Sequence, residues 1–341
     1  MADWPNMTGV PCRISLAALA LVCGSATALF GTPATLSRSP RDVNTLGYED
    51  SPFLSADGQA LYFMYTPWSV WPTFHGGVPA LVGPLRALHH DNPDGNPWED
   101  SDVYASYKQA DGTWGVPQNL GFNDQQADCC AMTWNHVEFF YQRTQFPNSA
   151  LTDLHTVTRQ PDGSWRRQSL GSLINEPGAS EQNPHVTADG RELYFTSDRS
   201  GGAGGTDLYM SSRLADGSWS TPVLLPPSIN TSANEDQAWL SPDGATLYFN
   251  REPGPRIMAA RRTVGGWSAA TPVAFGGLYP DAAEVSGTAD GTQLAFAIVR
   301  PDLEDIVIVT SERQQDGSWG APAQVDFSIR VMAPGHLRVA P

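Results

Sequence analysis

One unit recurs five times along the chain, and this repetition limits the fold more than any other feature. Each copy ends in a polar turn that is followed by tryptophan, most often Asp-Gly-Ser-Trp. The five tryptophans are Trp114, Trp165, Trp219, Trp267 and Trp319. They follow one another at intervals of 51, 54, 48 and 52 residues. A repeat of about 50 residues is typical of the blades of a propeller.

Each copy also opens with a shared motif: a short apolar strand, a polar turn and a strand that resembles Leu-Tyr-Phe. The openings are EDSPFLSADGQALYF from Glu49, ADCCAMTWNHVEFFY from Ala127, EQNPHVTADGRELYF from Glu181, EDQAWLSPDGATLYF from Glu235 and AAEVSGTADGTQLAF from Ala282. Asp-Gly pairs close tight hairpins. With a third strand and the strand after tryptophan, each copy supplies four short antiparallel strands. We therefore predict an all-β, five-bladed β-propeller over residues 48–327, because no copy can bury both faces of its sheet alone.

The openings resemble the TolB-type propeller repeat. The stretch from Asn234 to Phe249 carries nearly the whole pattern, and the stretch from Ser197 to Tyr209 is similar to that family's loop between the middle strands. The resemblance covers roughly residues 41–327. It implies the propeller fold but no single function, because such repeats serve in protein–protein contact, in envelope assemblies and beside enzyme domains. The chain looks like a propeller alone.

The first 30 residues predict export from the cytoplasm through a hydrophobic helix. Arg13 precedes an apolar run at 14–30, and Ala26-Thr27-Ala28 is a small-residue cleavage pattern. Two interpretations stay open: a signal peptide cut after Ala28, or an uncleaved membrane anchor. We expect a periplasmic or extracellular protein, attached to the membrane if the segment is retained. Residues 31–47 are predicted to be a linker or a strand that closes the ring, and 328–341 a C-terminal tail.

The net charge of the chain and the absence of several catalytic motifs argue against several classes of function. The formal net charge is −16, which argues against binding to nucleic acid or to anionic lipid through the folded domain. Charged residues make up only 16% of the chain and hydrophobic residues 40%, which argues against disorder. The sequence has no P-loop, no Gly-x-Ser-x-Gly and no His-Glu-x-x-His.

A long insertion in the first copy is the largest departure from the repeat. Residues 66–100 form a connection of 35 residues where the other copies use roughly 7 to 13. Its aromatic and histidine residues suit contact with a protein partner or a membrane interface. The candidate partner-binding residues are Trp68, Trp71, Phe74, His75, His89, His90 and Trp98. The alternatives are a lid on the propeller itself and a metal site at His89, His90 and Asp91.

Acidic residues open the inner strands, where a propeller brings its blades together. They are Glu49, Asp50, Asp128, Glu181, Glu235 and Asp236, with Asp281 and Glu284 less well aligned. Three interpretations stay open: hydrogen bonds to backbone amides between blades, a bound cation such as Ca²⁺, and acid–base hydrolysis of a glycoside. No other cofactor is expected.

Two smaller departures complete the set of candidate sites. Cys129 and Cys130 are the only cysteines after the N-terminal segment, and they form either a vicinal disulfide or an inert pair of thiols, with redox or copper chemistry as the alternative. Arg251, Arg256, Arg261 and Arg262 form a cationic stretch, which is either a docking patch or an ordinary solvated face.

These features favour a binding or scaffold protein over an enzyme. We expect an accessory subunit of an envelope or membrane-bound complex, of the transport, respiratory or photosynthetic kind. The alternative is a carbohydrate-binding or glycoside-hydrolysing propeller that uses the acidic channel mouth.

Overall fold

The computed structural model describes residues 48–68, 101–123, 128–133, 135–144, 151–253, 257–277, 279, 281–300 and 305–325. These residues form 21 β-strands and no helix, so within the described ranges the chain is all-β. The predicted N-terminal helix at 1–30, the segment 31–47 and the tail 328–341 lie outside them.

Five sheets are present, each made from one continuous stretch of chain, and this confirms the predicted five-bladed propeller. The strands of the first three blades are β1 (Tyr48–Leu54), β2 (Ala60–Thr66), β3 (Asp102–Tyr107), β4 (Gln118–Asn119), β5 (Asp128–Thr133), β6 (Glu138–Thr144), β7 (Thr152–Arg159), β8 (Trp165–Ser169), β9 (Glu181–Val186), β10 (Glu192–Ser197), β11 (Asp207–Ser212) and β12 (Val223–Leu224). Those of the last two are β13 (Asn234–Leu240), β14 (Thr246–Glu252), β15 (Ile257–Thr263), β16 (Gly266–Trp267), β17 (Thr271–Pro272), β18 (Ala282–Gly287), β19 (Gln293–Arg300), β20 (Asp305–Glu312) and β21 (Ala323–Gln324).

Within a blade each strand pairs antiparallel with the next, and the fourth strand is short. Blade four differs because its outer strand is split: β16 and β17 both pair with β15. Antiparallel order places the starts of all five inner strands and the connections between second and third strands on one face of the disc, here called the acid face. The turns between first and second strands lie on the opposite face, here called the turn face.

The turns of the turn face follow from their Asp-Gly sequences. In blade one, Asp57 accepts hydrogen bonds from the Ser55 hydroxyl at 2.6 Å and from the Gln59 amide at 3.0 Å. Gly58 has a φ of 67°, which an L-residue adopts only at a cost. Blade two has His136 at the equivalent position, with a φ of 60°. The His136 ring reaches back to blade one, where its Nδ1 lies 2.8 Å from the Tyr62 hydroxyl.

The described residues form five apolar clusters, and each one fills the space between two neighbouring blades. Successive residues of a second strand pack to opposite sides: Tyr62 packs toward blade two, whereas Phe63 packs toward blade five. The repeated tryptophans join the same clusters, with Trp114, Trp219 and Trp319 buried. This confirms that the repeated aromatic residues serve packing between blades.

Blade five closes the ring on blade one through hydrogen bonds in the described residues. Ser286 Oγ accepts from the Leu54 amide and donates to the Pro52 carbonyl, each at 2.9 Å. On the turn face the Ala289 amide donates to the Ala56 carbonyl at 2.7 Å. The outer position of blade five is filled by β21.

Candidate functional site

The acids that open the inner strands are buried and paired with arginines of their own blades. Asp128 Oδ1 lies 3.2 Å from Arg143 Nη1, and Glu181 Oε1 lies 2.9 Å from Arg199 Nη2. Glu235 is bonded still more closely to Arg251, whose Nε lies 2.7 Å from its Oε1. A buried carboxylate needs such a partner, because desolvation of the charge costs several kcal/mol. One of the interpretations drawn from the sequence named backbone amides as the partners; the Thr231 amide does donate to Glu235 at 2.9 Å, and guanidinium groups add the charge compensation.

Three of the described acids, Asp128, Glu181 and Glu235, therefore each have an arginine partner. Among the residues that the structure describes, no group of three or more His, Cys, Asp or Glu side chains could hold a metal ion. Glu49 is buried and Asp236 is half-buried, while the side chain of Asp50 lies outside the described residues. The Ca²⁺ site, which includes Asp50, stays a prediction, and three of the carboxylates that the glycosidase alternative draws on are paired with arginine.

Glu181 shows what burial does at the acid face. Its Oε1 accepts hydrogen bonds from the Ser197 hydroxyl at 2.8 Å and from Arg199. Burial raises the pKa of Glu181 to about 7, against the lowering influence of Ser197 and Arg199. Desolvation of the charged carboxylate is the larger effect.

Blade five has no acid at this position, and its glutamate stands two residues later. Ala282 occupies the place of the buried acids. Glu284 instead accepts a hydrogen bond from the Ser51 amide of blade one and another from Gln237 Nε2 of blade four, the latter at 2.8 Å. Glu284 thus links three blades at the axis, while Asp281 stands just before β18.

A bulge in every inner strand turns one residue toward the axial channel. Each of these residues has a positive φ, between 51° and 64°. They are Ser51, Cys130, Asn183, Gln237 and Glu284, one from each blade, and they line a narrow cavity of about 60 Å³ on the axis. Since these five residues are all different, the channel wall departs from the repeat at every blade.

The two adjacent cysteines belong to this channel wall. The structure joins Cys129 and Cys130 in a vicinal disulfide. The Ser51 hydroxyl lies 3.1 Å from Cys130 Sγ and 3.6 Å from Cys129 Sγ. Cys129 is buried and Cys130 is half-buried, so blade one covers the pair on one side.

The turn face carries a wider cavity, here called the bowl, of about 700 Å³. Four residues that follow the bulges separate the bowl from the axial channel and line both: Phe53, Met132, His185 and Trp239. They come from blades one to four at equivalent positions, and blade five has Ser286 there. Sequence reasoning missed these residues, although the fifth residue of the aligned openings differs in every copy. In the second copy that alignment gives Ala131, whereas the strand register places Met132 there.

His185 is the polar residue of that floor, and burial keeps it neutral. It is 6% exposed, and its ring centroid lies 6.3 Å from those of Tyr194 and Trp239. Burial lowers the pKa of His185 to about 3, while a backbone hydrogen bond with Leu240 acts in the opposite direction. His185 Nε2 has no hydrogen-bond partner among the described residues.

The predicted partner-binding insertion is closed at its base. Tyr65 pairs with Asp102 across β2 and β3, so the two ends of the insertion leave the acid face side by side. Trp68 is half-buried, and its amide donates to Thr66 Oγ1 at 3.4 Å. The other predicted residues, Trp71, Phe74, His75, His89, His90 and Trp98, lie outside the described residues.

The cationic stretch of blade four does not form one patch. Arg251 pairs with Glu235, Arg262 stacks on Trp267 at 4.7 Å, and Arg261 is exposed. The stacking repeats in every blade, where a basic residue five or six positions before each tryptophan covers its ring; the pairs are Lys108–Trp114, Arg159–Trp165, Arg213–Trp219, Arg262–Trp267 and Arg313–Trp319. That spacing was visible in the sequence. Arg256 lies outside the described residues.

In the part of the chain that the structure describes, no helix is long and apolar enough to cross a bilayer.

No protein-family model matches the chain, and no curated protein matches it. Solved structures with a similar backbone include a 6-phosphogluconolactonase-like protein from Bacteroides uniformis, at 13% identity and a TM-score of 0.39, with 82% of this chain and 81% of that one covered. The RS223 β-xylosidase is 12% identical, with a TM-score of 0.43 and coverage of 82% and 98%. A puromycin hydrolase is 14% identical, with a TM-score of 0.40 and coverage of 87% and 57%. Likeness at this level carries no argument about activity.

Proposed function

We propose that this protein is a TolB-like binding propeller that acts outside the cytoplasm as an accessory or scaffold subunit of an envelope or membrane-bound complex. In this proposal the insertion of blade one contacts the protein partner. The N-terminal segment exports the propeller, and if uncleaved it also anchors the propeller to the membrane.

The observation that carries the proposal is the use of the repeated acids inside the fold. A glycosidase needs two carboxylates that are free to act on the substrate, about 5 to 9.5 Å apart. Asp128, Glu181 and Glu235 are instead buried against Arg143, Arg199 and Arg251. A repeated structural role for these acids favours binding elsewhere on the surface.

The acid face has its largest departure from the repeat at the insertion. The Tyr65–Asp102 pair keeps β2 and β3 in register at the base of the insertion, so blade one is complete without it. Tryptophan is among the residues that most often dominate the energy of a protein interface, and the insertion contains Trp68, Trp71 and Trp98. The vicinal disulfide also suits an oxidising compartment, since disulfides are rare in the cytosol.

The test is a variant in which Asn-Gly replaces residues 67–100, which leaves Thr66 and Ser101 to close a tight turn. We expect this variant to keep the melting temperature of the full-length chain, because loops tolerate deletion far better than strands. Tagged full-length chain and variant are purified from native membranes, and co-purifying proteins are identified by mass spectrometry. The proposal predicts a protein that is retained by the full chain and lost from the variant.

Val264→Ala is the matched control, because Val264 is an apolar side chain that is fully exposed on blade four. It should retain the same protein as the unmodified chain. A loop variant that melts normally and retains that protein would overturn the proposal. A variant that melts well below the full chain would also count against it, because the insertion would then cover apolar surface of its own propeller.

A further inference from the structure

Two pairs of neighbouring blades are joined by a charge pair at equivalent positions. Its acid is the first residue of a second strand, and its base is the arginine that stacks on the repeated tryptophan of the next blade. Between blades two and three, both carboxylate oxygens of Glu138 lie 3.2 Å from Arg213 Nη2. Between blades three and four, Glu192 Oε2 lies 3.8 Å from Arg262 Nη2. A carboxylate of one blade thus compensates a guanidinium of the next.

The groove between blades one and two lacks this carboxylate. Ala60 is the first residue of β2, and it lines the groove together with Arg159 of blade two. Arg159 is exposed and stacks on Trp165, with 5.7 Å between its guanidinium carbon and the ring centroid. It forms no ion pair with the residues that the structure describes. Its charge is therefore available to an anion from solution.

An exposed aromatic side chain stands beside this gap. Tyr107 pairs with Ala60 across β3 and β2, so the two side chains lie on the same side of the sheet. Tyr107 is 46% exposed, and it lines the groove. Blades four and five also have no acid at the first position of the second strand, but the residues paired with that position are charged, Arg261 and Glu312. Among the five described blades, blade one therefore combines a position without an acid with an aromatic neighbour.

The groove is large enough for a small organic molecule. Its volume of about 560 Å³ lies within the range of pockets that bind such ligands. Tyr107 and Phe139 provide aromatic surface. Asp57 also lines the groove, but its Oδ1 accepts two hydrogen bonds within its own turn and its Oδ2 lies 3.9 Å from His136 Nε2. The carboxylate of the groove is thus placed beside a histidine, and Arg159 keeps its charge for a ligand.

We propose that this groove binds a small aromatic carboxylate, whose carboxylate pairs with the Arg159 guanidinium and whose ring packs against Tyr107. The ligand then supplies the anion that Glu138 and Glu192 supply at the next two interfaces. The planar fork of donors on arginine matches the geometry of a carboxylate. The site is separate from the insertion, because the groove lies at the start of β2 and the insertion follows the end of that strand.

The test compares 3-phenylpropionate with 3-phenylpropionamide, which has nearly the same shape but no charge. Each is titrated into the full-length protein labelled with ¹⁵N-arginine, and the Nε–Hε resonance of Arg159 is followed by NMR. An ion pair with an exposed arginine is weak, so the carboxylate should bind about 1.5 to 5 times more tightly than the amide. The carboxylate should also shift the Arg159 resonance, and the amide should not.

Two arginine variants separate this site from the general effect of charge. In Arg159→Gln the ratio of the two affinities should fall to about one. Arg166→Gln is the matched control, because Arg166 is an exposed arginine of the same blade that donates to Gln168 at 2.7 Å. It changes the net charge equally and should keep the ratio of the unmodified protein.

Ala60→Glu restores the carboxylate that the repeat has at Glu138 and Glu192. This built-in carboxylate should occupy Arg159, so the variant should lose its preference for 3-phenylpropionate. If Ala60→Glu does not fold, the two arginine variants decide the question. Equal affinities for the two probes in the unmodified protein, or no binding of either, would overturn the proposal. So would a preference that survives in Arg159→Gln or in folded Ala60→Glu, or one that disappears in Arg166→Gln.

Discussion

Strand β9 carries an ionisable residue near each end, and burial shifts the pKa values of these two residues in opposite directions. Glu181 opens the strand at the acid face, where burial raises its pKa to about 7 although it bonds to Arg199. His185 lies near the other end, where burial lowers its pKa to about 3 and leaves Nε2 without a partner. At the acid face equivalent residues are alike in several blades, and three of them are paired with an arginine of their own blade. At the turn face the equivalent floor residues differ in every blade.

This difference shows which positions of a repeat protein serve the fold and which can serve recognition. A residue that recurs in each blade meets a requirement that each blade has, such as compensation of a buried charge. A residue that differs in each blade at the same position is free of that requirement and is available for recognition.

The largest expected effect comes from removing one arginine of the acid face. Arg251→Met leaves Glu235 buried without its guanidinium partner, and we expect a loss of about 3–5 kcal/mol in the free energy of unfolding. Urea denaturation measures it. Arg261→Met is the matched control on the same blade, because Arg261 is exposed and should change stability by less than about 0.5 kcal/mol. Equal effects from the two substitutions would remove the structural role assigned to the acid face.

The second prediction concerns the pH dependence that Glu181 brings. The folded protein holds this proton up to about pH 7, whereas the unfolded chain loses it near 4.5. The resulting stabilisation is complete below about pH 4.5 and is lost as pH rises through 7, by roughly 3 kcal/mol at most. Glu181→Gln should lack this loss in denaturation curves measured from pH 4.5 to 7.5. If Glu181→Gln and the unmodified protein show the same slope, the carboxylate is ionised throughout.

The third and smallest effect has the opposite sign and comes from the turn-face end of the same strand. His185 stays neutral in the folded protein, while the unfolded chain takes up a proton near pH 6.5. Its contribution to stability is therefore present above about pH 6.5 and decreases as pH falls, by roughly 2 kcal/mol between 6.5 and 5. The difference in unfolding free energy between His185→Phe and the unmodified protein should follow this curve. A difference that is independent of pH would mean that His185 titrates normally.

The sequence by itself determined the number of blades, their boundaries and the residues that fill the space between them. Five tryptophan turns and five openings can be counted directly, and successive strand residues such as Tyr62 and Phe63 must point to opposite sides of the sheet. These features depend on neighbours in the same blade and on an interface that repeats. Local spacing is therefore enough to predict them.

Only the tertiary structure decided which partners the acids have and where the variable residues meet. Glu235 accepts a hydrogen bond from Arg251 across a hairpin. Glu284 accepts one from the backbone amide of Ser51, which lies near the other end of the sequence. The bowl exists because the ring brings Phe53, Met132, His185 and Trp239 together from positions up to 186 residues apart. No local pattern encodes such a meeting, because it depends on closure of the ring, which is a property of all five blades at once.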